Sequence, residues 1–374
     1  MPSRCFKSII ALWSIAAVAA TAWLIGACVA RADPLDSLVR PYMAAHRVPG
    51  LALAVIESGR LTTERYYGKS NLETGTPVGR DSVFELASLT KPFTATAIML
   101  LVQRGQISLS DPITNYINGA PPAWRAITIR NLLDHTAGFP EQAIVSCHGV
   151  PLMDVSTKAQ FDLIARHPLL FPPGKRALYS DPGYFLLGMI IEHVSGSTYA
   201  NFMQRNIFDP AGMAHTSILD QSRILPGRVS PYTIDNGVLK RARRDWQHQL
   251  PSFFGIWSTL ADVAKFDIAL TEGKLVAPSY VRDMWAPAEL ADGKDVIIRG
   301  KFHYGLGWVI LPMGKHKVVG HDGFVGTVLL QFPDANLSVI VLSNLDEGSG
   351  NIVPDLALQI AAQIQPGSIA SGQR

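Results

Sequence analysis

The sequence predicts an α/β protein of the α+β kind, in which one antiparallel sheet draws strands from both ends of the chain. Helices cover the sheet, and an all-helical lobe is inserted between its two halves. Strand-type runs cluster in residues 50–71 and return only beyond about residue 300. The stretch between them alternates Pro/Gly loops with helical segments. Strands at the two ends with helices between cannot form a parallel βαβ alternation, so the end segments must pair with each other.

The elements follow in order. "LALAVIESGRLTTERYYGKSN" has two runs rich in Val, Ile, Thr and Tyr on either side of Ser58-Gly59, a hairpin signal. "SLTKPFTATAIMLLVQRG" reads as a helix opening near Ser88 and closing at Gly105. "TIRNLLDHTAGFP", "YFLLGMIIEHVSG" and "STLADVAKFDIAL" supply helical stretches of the middle. "YGLGWVIL", "HKVVGHDG", "GTVLLQFPDA" and "LSVIVLSNLD" are short strand-type runs divided by turn residues, and "IVPDLALQIAAQI" closes the chain as an amphipathic helix. The expected sheet lobe covers about 33–92 and 255–366, the helical lobe about 93–254, and residues 367–374 form a tail. A cleft between lobes is the usual place for a ligand.

The chain has 374 residues, 48% of them apolar and 17% charged, enough for a large core and unlike a disordered chain. Its net charge of +3 comes from the first 32 residues, which hold Arg4, Lys7 and Arg31 and no acid. The remainder is formally neutral, so nucleic-acid binding has no electrostatic support beyond "KRARR" at 240–244, which reads as a solvated loop.

Residues 1–32 run from basic residues through an apolar stretch, Ile9 to Ala27, to Ala30-Arg31-Ala32. That order reads as a signal peptide cleaved before Asp33, and the folded part is expected to be periplasmic or secreted. Membrane attachment is expected only if the leader is kept as an anchor or Cys28 is lipidated. Of Cys5, Cys28 and Cys147, only Cys147 survives that cleavage, so no internal disulfide is expected. There is no C-x-x-C or H-E-x-x-H, and neither a metal nor another cofactor is expected.

Ser88 and Lys91 stand three residues apart at the mouth of the first helix. The structural alternative is that Ser88 is an N-cap. A capping box would then place Glu or Gln at 91, whereas Lys91 has no acceptor to return. "FTATAIMLLV" is apolar on every side, which implies a buried helix and a desolvated lysine. Burial and the positive helix end both favour a neutral amine, which one turn from a hydroxyl is a base beside its nucleophile.

Four segments, in order, resemble the serine β-lactamase and penicillin-binding-protein superfamily, closest to its class C β-lactamase and carboxylesterase branch. They are "SLTK" at 88–91, "HTAGF" at 135–139, "YSDPGYFLLGMII" at 179–191 and "GHDGFVG" at 320–326. The resemblance runs from about residue 35 to 365, and order and spacing make it more specific than any single motif. It implies a β-lactamase/transpeptidase-like fold and a serine hydrolase domain at 33–366. It also implies Ser88 as the acylated nucleophile, Lys91 as its proton acceptor, and Tyr179 in the relay that serves leaving group and water. His321-Asp322-Gly323 stands where the family carries Lys-Thr-Gly, and the backbone N–H groups of Ser88 and Phe324 would hold the oxyanion. His135 is assigned a structural role in its loop. No G-x-S-x-G occurs, which removes the α/β-hydrolase elbow as a rival.

Two departures bear on substrate. Asp181 replaces the family's frequent Asn and accepts only when ionised. Close to Lys91 it would hold the amine charged; otherwise it points away, and the sequence leaves both open. His321-Asp322 offers a substrate carboxylate neither the ammonium nor the hydroxyl of Lys-Thr. The expected activity is therefore hydrolysis of esters or small amides through an acyl-enzyme. A D-amino-acid peptidase of the cell wall and a non-catalytic sensor are the alternatives.

Overall fold

The computed structural model describes residues 33–141, 156–218, 223–242, 251–313, 316–346 and 352–366. The signal-peptide, Cys147 and tail expectations lie outside these residues. The chain divides into two compact units, 1–41 and 42–374. Of the first, the described part is the opening of helix α1, Pro34–His46. No described helix is long and apolar enough to cross a membrane.

The second unit is built on a nine-stranded sheet. Its strands, numbered in chain order, are β1 Gly50–Glu57, β2 Arg60–Asn71, β3 Thr76–Pro77, β4 Ile297–Ile298, β5 Phe302–Tyr304, β6 Val309–Met313, β7 His316–Gly323, β8 Thr327–Phe332 and β9 Leu337–Ser343. The spatial order is β3-β2-β1-β9-β8-β7-β6-β5-β4, and every neighbouring pair is antiparallel. The expected joining of the two chain ends is the β1–β9 pair, in register from Leu51 opposite Ser343 to Glu57 opposite Leu337. "GLALAVIE" and "LSVIVLS" carry unbroken apolar runs because these central strands are buried along nearly their whole length. The β1–β2 turn is Ser58-Gly59 with φ of 50° and 74°, the left-handed pair that suits a two-residue hairpin.

Beyond α1, the helices of ten or more residues among those described are α2 Thr90–Gln103, α3 Thr157–Arg166, α4 Asp181–Ser195, α5 Leu260–Thr271 and α6 Ile352–Ile364. The segment between β3 and β4 holds most of them, with a few short strands such as Phe84–Glu85 and Tyr232–Asp235. Lys240 and Arg241 lie not in a loop but in the short strand Val238–Arg241. They pair with Asp235 and Glu73 at the surface, so the described part of the basic run meets acids of this chain, while Arg243 and Arg244 lie outside the described residues.

α2 is sheathed in protein, buried from Thr90 to Leu101, with Phe93 stacked on Phe266 of α5 at 3.7 Å between ring centroids. Its hydroxyls find partners inside. Thr94 Oγ1 meets Tyr199 Oη and the Ser252 carbonyl, each at 2.6 Å, and Thr96 Oγ1 donates to the Pro92 carbonyl at 2.8 Å. Gly105, with φ of 68°, follows the helix end as expected.

Asp267 of α5 is buried against the sheet, where Gln331 of β8 donates to it, and burial raises its carboxyl to about 6. The folded pKa lies above the unfolded value of about 3.9, so ionisation opposes folding. The penalty is absent below pH ~4, grows as pH rises between the two values, and is complete above pH ~6, where it reaches about 3 kcal/mol. Asp267→Asn is expected to raise Tm near neutral pH, with the gain shrinking toward pH ~4. Calorimetry at both pH values checks it; a variant equally destabilised at both would contradict the assignment.

Candidate active site

The chain leaves the short strand Phe84–Glu85 into a tight turn, Ala87–Leu89, and then enters α2. Ala87 has φ of 49°, a costly conformation for a residue with a Cβ, immediately before Ser88. The N-cap of α2 is Leu89 and carries no side-chain cap, so the Ser88 hydroxyl is not spent on the helix end. Ser88 is half-buried, and its Oγ accepts from Lys91 Nζ at 3.1 Å.

Lys91 is wholly buried. Its Nζ faces three acceptors: Ser88 Oγ at 3.1 Å, the Phe253 carbonyl at 3.3 Å and Asp181 Oδ1 at 2.8 Å. Two of its donors make hydrogen bonds, to Ser88 and Phe253, and the Asp181 contact is an ion pair without ordinary hydrogen-bond geometry. This corrects the expectation of a neutral resting amine. Burial does press the pKa down, but Asp181 and Tyr179 together outweigh it and the net shift is upward. Asp181 does not point away, and Lys91 rests as the charged partner of an ion pair.

Asp181 is the first residue of α4, and its position follows from how that helix begins. Ser180 is the N-cap, accepting from the Gly183 N–H at 3.3 Å, and Pro182 sits in the first turn. The Ser180 N–H in turn donates to His135 Nδ1 at 3.1 Å, and the Leu178 N–H to the His135 carbonyl at 3.0 Å. His135, buried with φ of 62°, thus clasps the residues on either side of Tyr179. Burial holds its imidazole well below the usual range, a neutral ring that suits this structural part.

Two cations approach the Tyr179 ring. Lys91 Nζ is 4.7 Å from its centroid and Arg299 Cζ is 4.9 Å away. Its hydroxyl is buried without a hydrogen-bond partner of ordinary geometry among the described residues. Burial raises the phenol pKa, and the pull of Lys91 does not reverse it, so Tyr179 stays protonated near neutral pH.

The far wall is the end of β7. A Cβ on Gly323 would come 2.3 Å from the Leu86 carbonyl and 3.3 Å from the Ala87 Cβ. Only glycine lets this strand lie against the turn, which brings Phe324 toward Ser88, their respective next neighbours. Thr327 Oγ1 ties the contact by donating to the Leu86 carbonyl at 2.9 Å. The half-buried Phe324 stacks on Phe254, 5.3 Å between centroids.

His321 does not meet the opening as expected of a substrate-binding residue. It is 1% exposed, with Nδ1 2.7 Å from the Asp322 carbonyl and Nε2 3.2 Å from Tyr304 Oη. A carbonyl only accepts, so the proton sits on Nδ1 and Tyr304 donates to Nε2. Burial pushes this imidazole down to about 4, and both nitrogens are engaged within the protein. Asp322 is half-buried and accepts from Arg299 Nη1 at 3.3 Å. Arg299 and His321 together hold its carboxyl below the usual range against the effect of burial.

Ser88, Lys91, Tyr179, Asp181, Asp322, Gly323 and Phe324 therefore converge, with His321 behind them. Two participants were missed. The Phe253 carbonyl has no sequence signature. Arg299 lies in "IIRGK", where the only signal is the Arg-Gly turn, with φ of 48° at Arg299 and 72° at Gly300. Such an arrangement can hold a nucleophilic oxygen beside a proton carrier and two backbone donors, the requirements of acyl transfer.

The comparisons agree with this geometry. Penicillin-binding protein 4* of Bacillus subtilis (strain 168) is 30% identical over 327 residues, 81% of this chain and 69% of that protein. A putative D-alanyl-D-alanine carboxypeptidase of Escherichia coli O157:H7 is 25% identical over 344 residues, covering 79% of this chain and 78% of its own. The structure of the octameric penicillin-binding protein homologue from Pyrococcus abyssi superposes with a TM-score of 0.76 at 27% identity, over 88% of this chain and 76% of that one. Such relatives support a serine hydrolase in general terms. Residues 35–362 match the family model described as Beta-lactamase, a span that contains the nine-stranded sheet and the residues of this site, and the chain belongs to that family.

Proposed function

We propose that this chain is an exported serine hydrolase that cleaves uncharged esters or small amides through an acyl-enzyme on Ser88. The observation that carries the reading is Lys91 Nζ poised between Ser88 Oγ at 3.1 Å and Asp181 Oδ1 at 2.8 Å. In this reading a proton passes from Lys91 to Asp181, and the amine so formed takes the Ser88 proton as Oγ attacks the carbonyl carbon. The backbone N–H groups of Ser88 and Phe324 receive the developing oxyanion. As the bond to the leaving group breaks, Tyr179 donates its phenolic proton to that group and is reprotonated from Lys91, which recovers its own from Asp181. Water then enters, delivers its proton by the same route and releases the acid from Ser88. The raised phenol pKa supports Tyr179 as donor rather than as resting base.

Substrate class rests on charge. Asp322 meets a substrate carboxylate with an anion, and His321 is neutral and turned inward. The leader composition supports work outside the cytoplasm.

The test is one panel on protein recovered from periplasm or medium, whose intact mass is expected to begin at Asp33. An aryl butyrate, a D-Ala-D-Ala peptide and a chromogenic cephalosporin are compared in wild type and Ser88→Ala. The butyrate is expected to show the highest kcat/KM, with an acyl adduct on Ser88. Turnover that survives Ser88→Ala, or a preference for the cephalosporin, would overturn the reading.

A further inference from the structure

Arg299 is a cation beside Tyr179 and Asp322. It is an exposed residue, its side chain 43% accessible, held in a left-handed turn with its guanidinium over the same Tyr179 ring that Lys91 approaches. Nothing in the helix or strand framework requires a charged residue there, since β4 ends at Ile298 and β5 begins at Phe302. An arginine so placed presents a planar donor fork suited to a carboxylate. In this chain the fork already meets one: Asp322, contributed by β7 next to Gly323, lies 3.3 Å from Nη1.

We infer that Asp322 is a built-in occupant of an arginine anion subsite, and that the Arg299–Asp322 pair sets this enzyme against carboxylate-bearing substrates. The inference rests on the hydrolase reading above, and it is a statement about specificity rather than chemistry. The pair contributes no proton to the acyl transfer; it decides which acyl or leaving groups may lie beside Tyr179. With Asp322 ionised, a substrate carboxylate meets an anion and a cation whose donors are partly engaged. With Asp322 neutral, the same carboxylate meets a free guanidinium. Asp322 and Arg299 both reach solvent, so the exchange of one carboxylate partner for another needs no rearrangement of the core.

The experiment compares two aryl esters with the same phenol, one of butyric acid and one of glutaric acid that keeps a free carboxylate on the acyl chain. The readout is the ratio of their kcat/KM values, anionic over neutral, which cancels changes common to both. Wild type is expected to favour the neutral ester. Asp322→Asn is expected to raise the ratio about tenfold or more, the scale of one hydrogen bond between charged groups. The gain should shrink as salt is added, because the subsite is open to water, and should vanish in Arg299→Gln/Asp322→Asn. An unchanged ratio in Asp322→Asn, or a gain that persists in the double variant, would overturn the inference. Asp322→Ala, read the same way, serves if the Asn variant does not fold. Loss of Ser88 dependence for the neutral ester would instead overturn the hydrolase reading, so the two failures are separable.

Discussion

Replacing Lys91 with alanine is expected to lower kcat/KM for an aryl ester by about 10²–10⁴-fold, the usual contribution of a positioned proton carrier. The physical ground is the three-way contact of Nζ with Ser88 Oγ, Asp181 Oδ1 and the Phe253 carbonyl. Alanine removes the amine that, once its proton has passed to Asp181, would take the Ser88 proton, and leaves the hydroxyl without that base. The variant also strands a carboxylate beside a cavity, because Asp181 is only 19% exposed at its side chain. Breaking a buried pair by deleting one partner costs up to about 3–5 kcal/mol, less here because water reaches Asp181. Lys91→Ala/Asp181→Asn removes the stranded charge and separates the two effects. Thermal denaturation is expected to show the double variant more stable than Lys91→Ala, with turnover no better. A single variant of normal stability and near-wild-type kcat/KM would remove Lys91 from the chemistry.

The second large effect is expected from a methyl group. Gly323→Ala places a Cβ where the Leu86 carbonyl stands at 2.3 Å and Thr327 Oγ1 at 2.4 Å. The Thr327 hydroxyl can rotate, but a backbone carbonyl in the turn before Ser88 cannot retreat without carrying Ala87 and Ser88 with it. β7 and the turn must therefore part, and the Phe324 N–H leaves its place relative to Ser88. Loss of one oxyanion donor typically costs about 10²–10³-fold in kcat, and that is the expected result, with KM for a small ester changed much less. Gly79→Ala is the control, since its φ is not left-handed and a Cβ there meets nothing within 4 Å. Wild-type kcat in a stably folded Gly323→Ala would show that the strand end takes no part in the oxyanion site.

How much of this was legible in the sequence depends on the range of the physics involved. The β1–β2 hairpin was readable because Ser58-Gly59 supplies two positive-φ residues in the turn itself. The buried α2 was readable from a run without a polar face, and its end from Gly105. The pairing of β1 with β9 followed by elimination, because separated strand runs leave no other economical sheet. The convergence of Ser88, Lys91, Tyr179 and the end of β7 was expected from the family resemblance rather than from local pattern. Conditions between distant residues were not legible. Whether Lys91 rests neutral or charged turns on the 2.8 Å approach of Asp181, 90 positions away, and burial alone argued for the wrong sign. His321 was expected at the opening, but its two ring nitrogens are claimed by Tyr304 and by the adjacent backbone carbonyl. Arg299 carried no motif, and only its approach to Asp322 and Tyr179 makes it part of the site. Periodicity and turn chemistry act over a few residues, so the sequence by itself determined the elements and the sheet. Charge state and access depend on what packs against a group through space, and those only the tertiary structure decided.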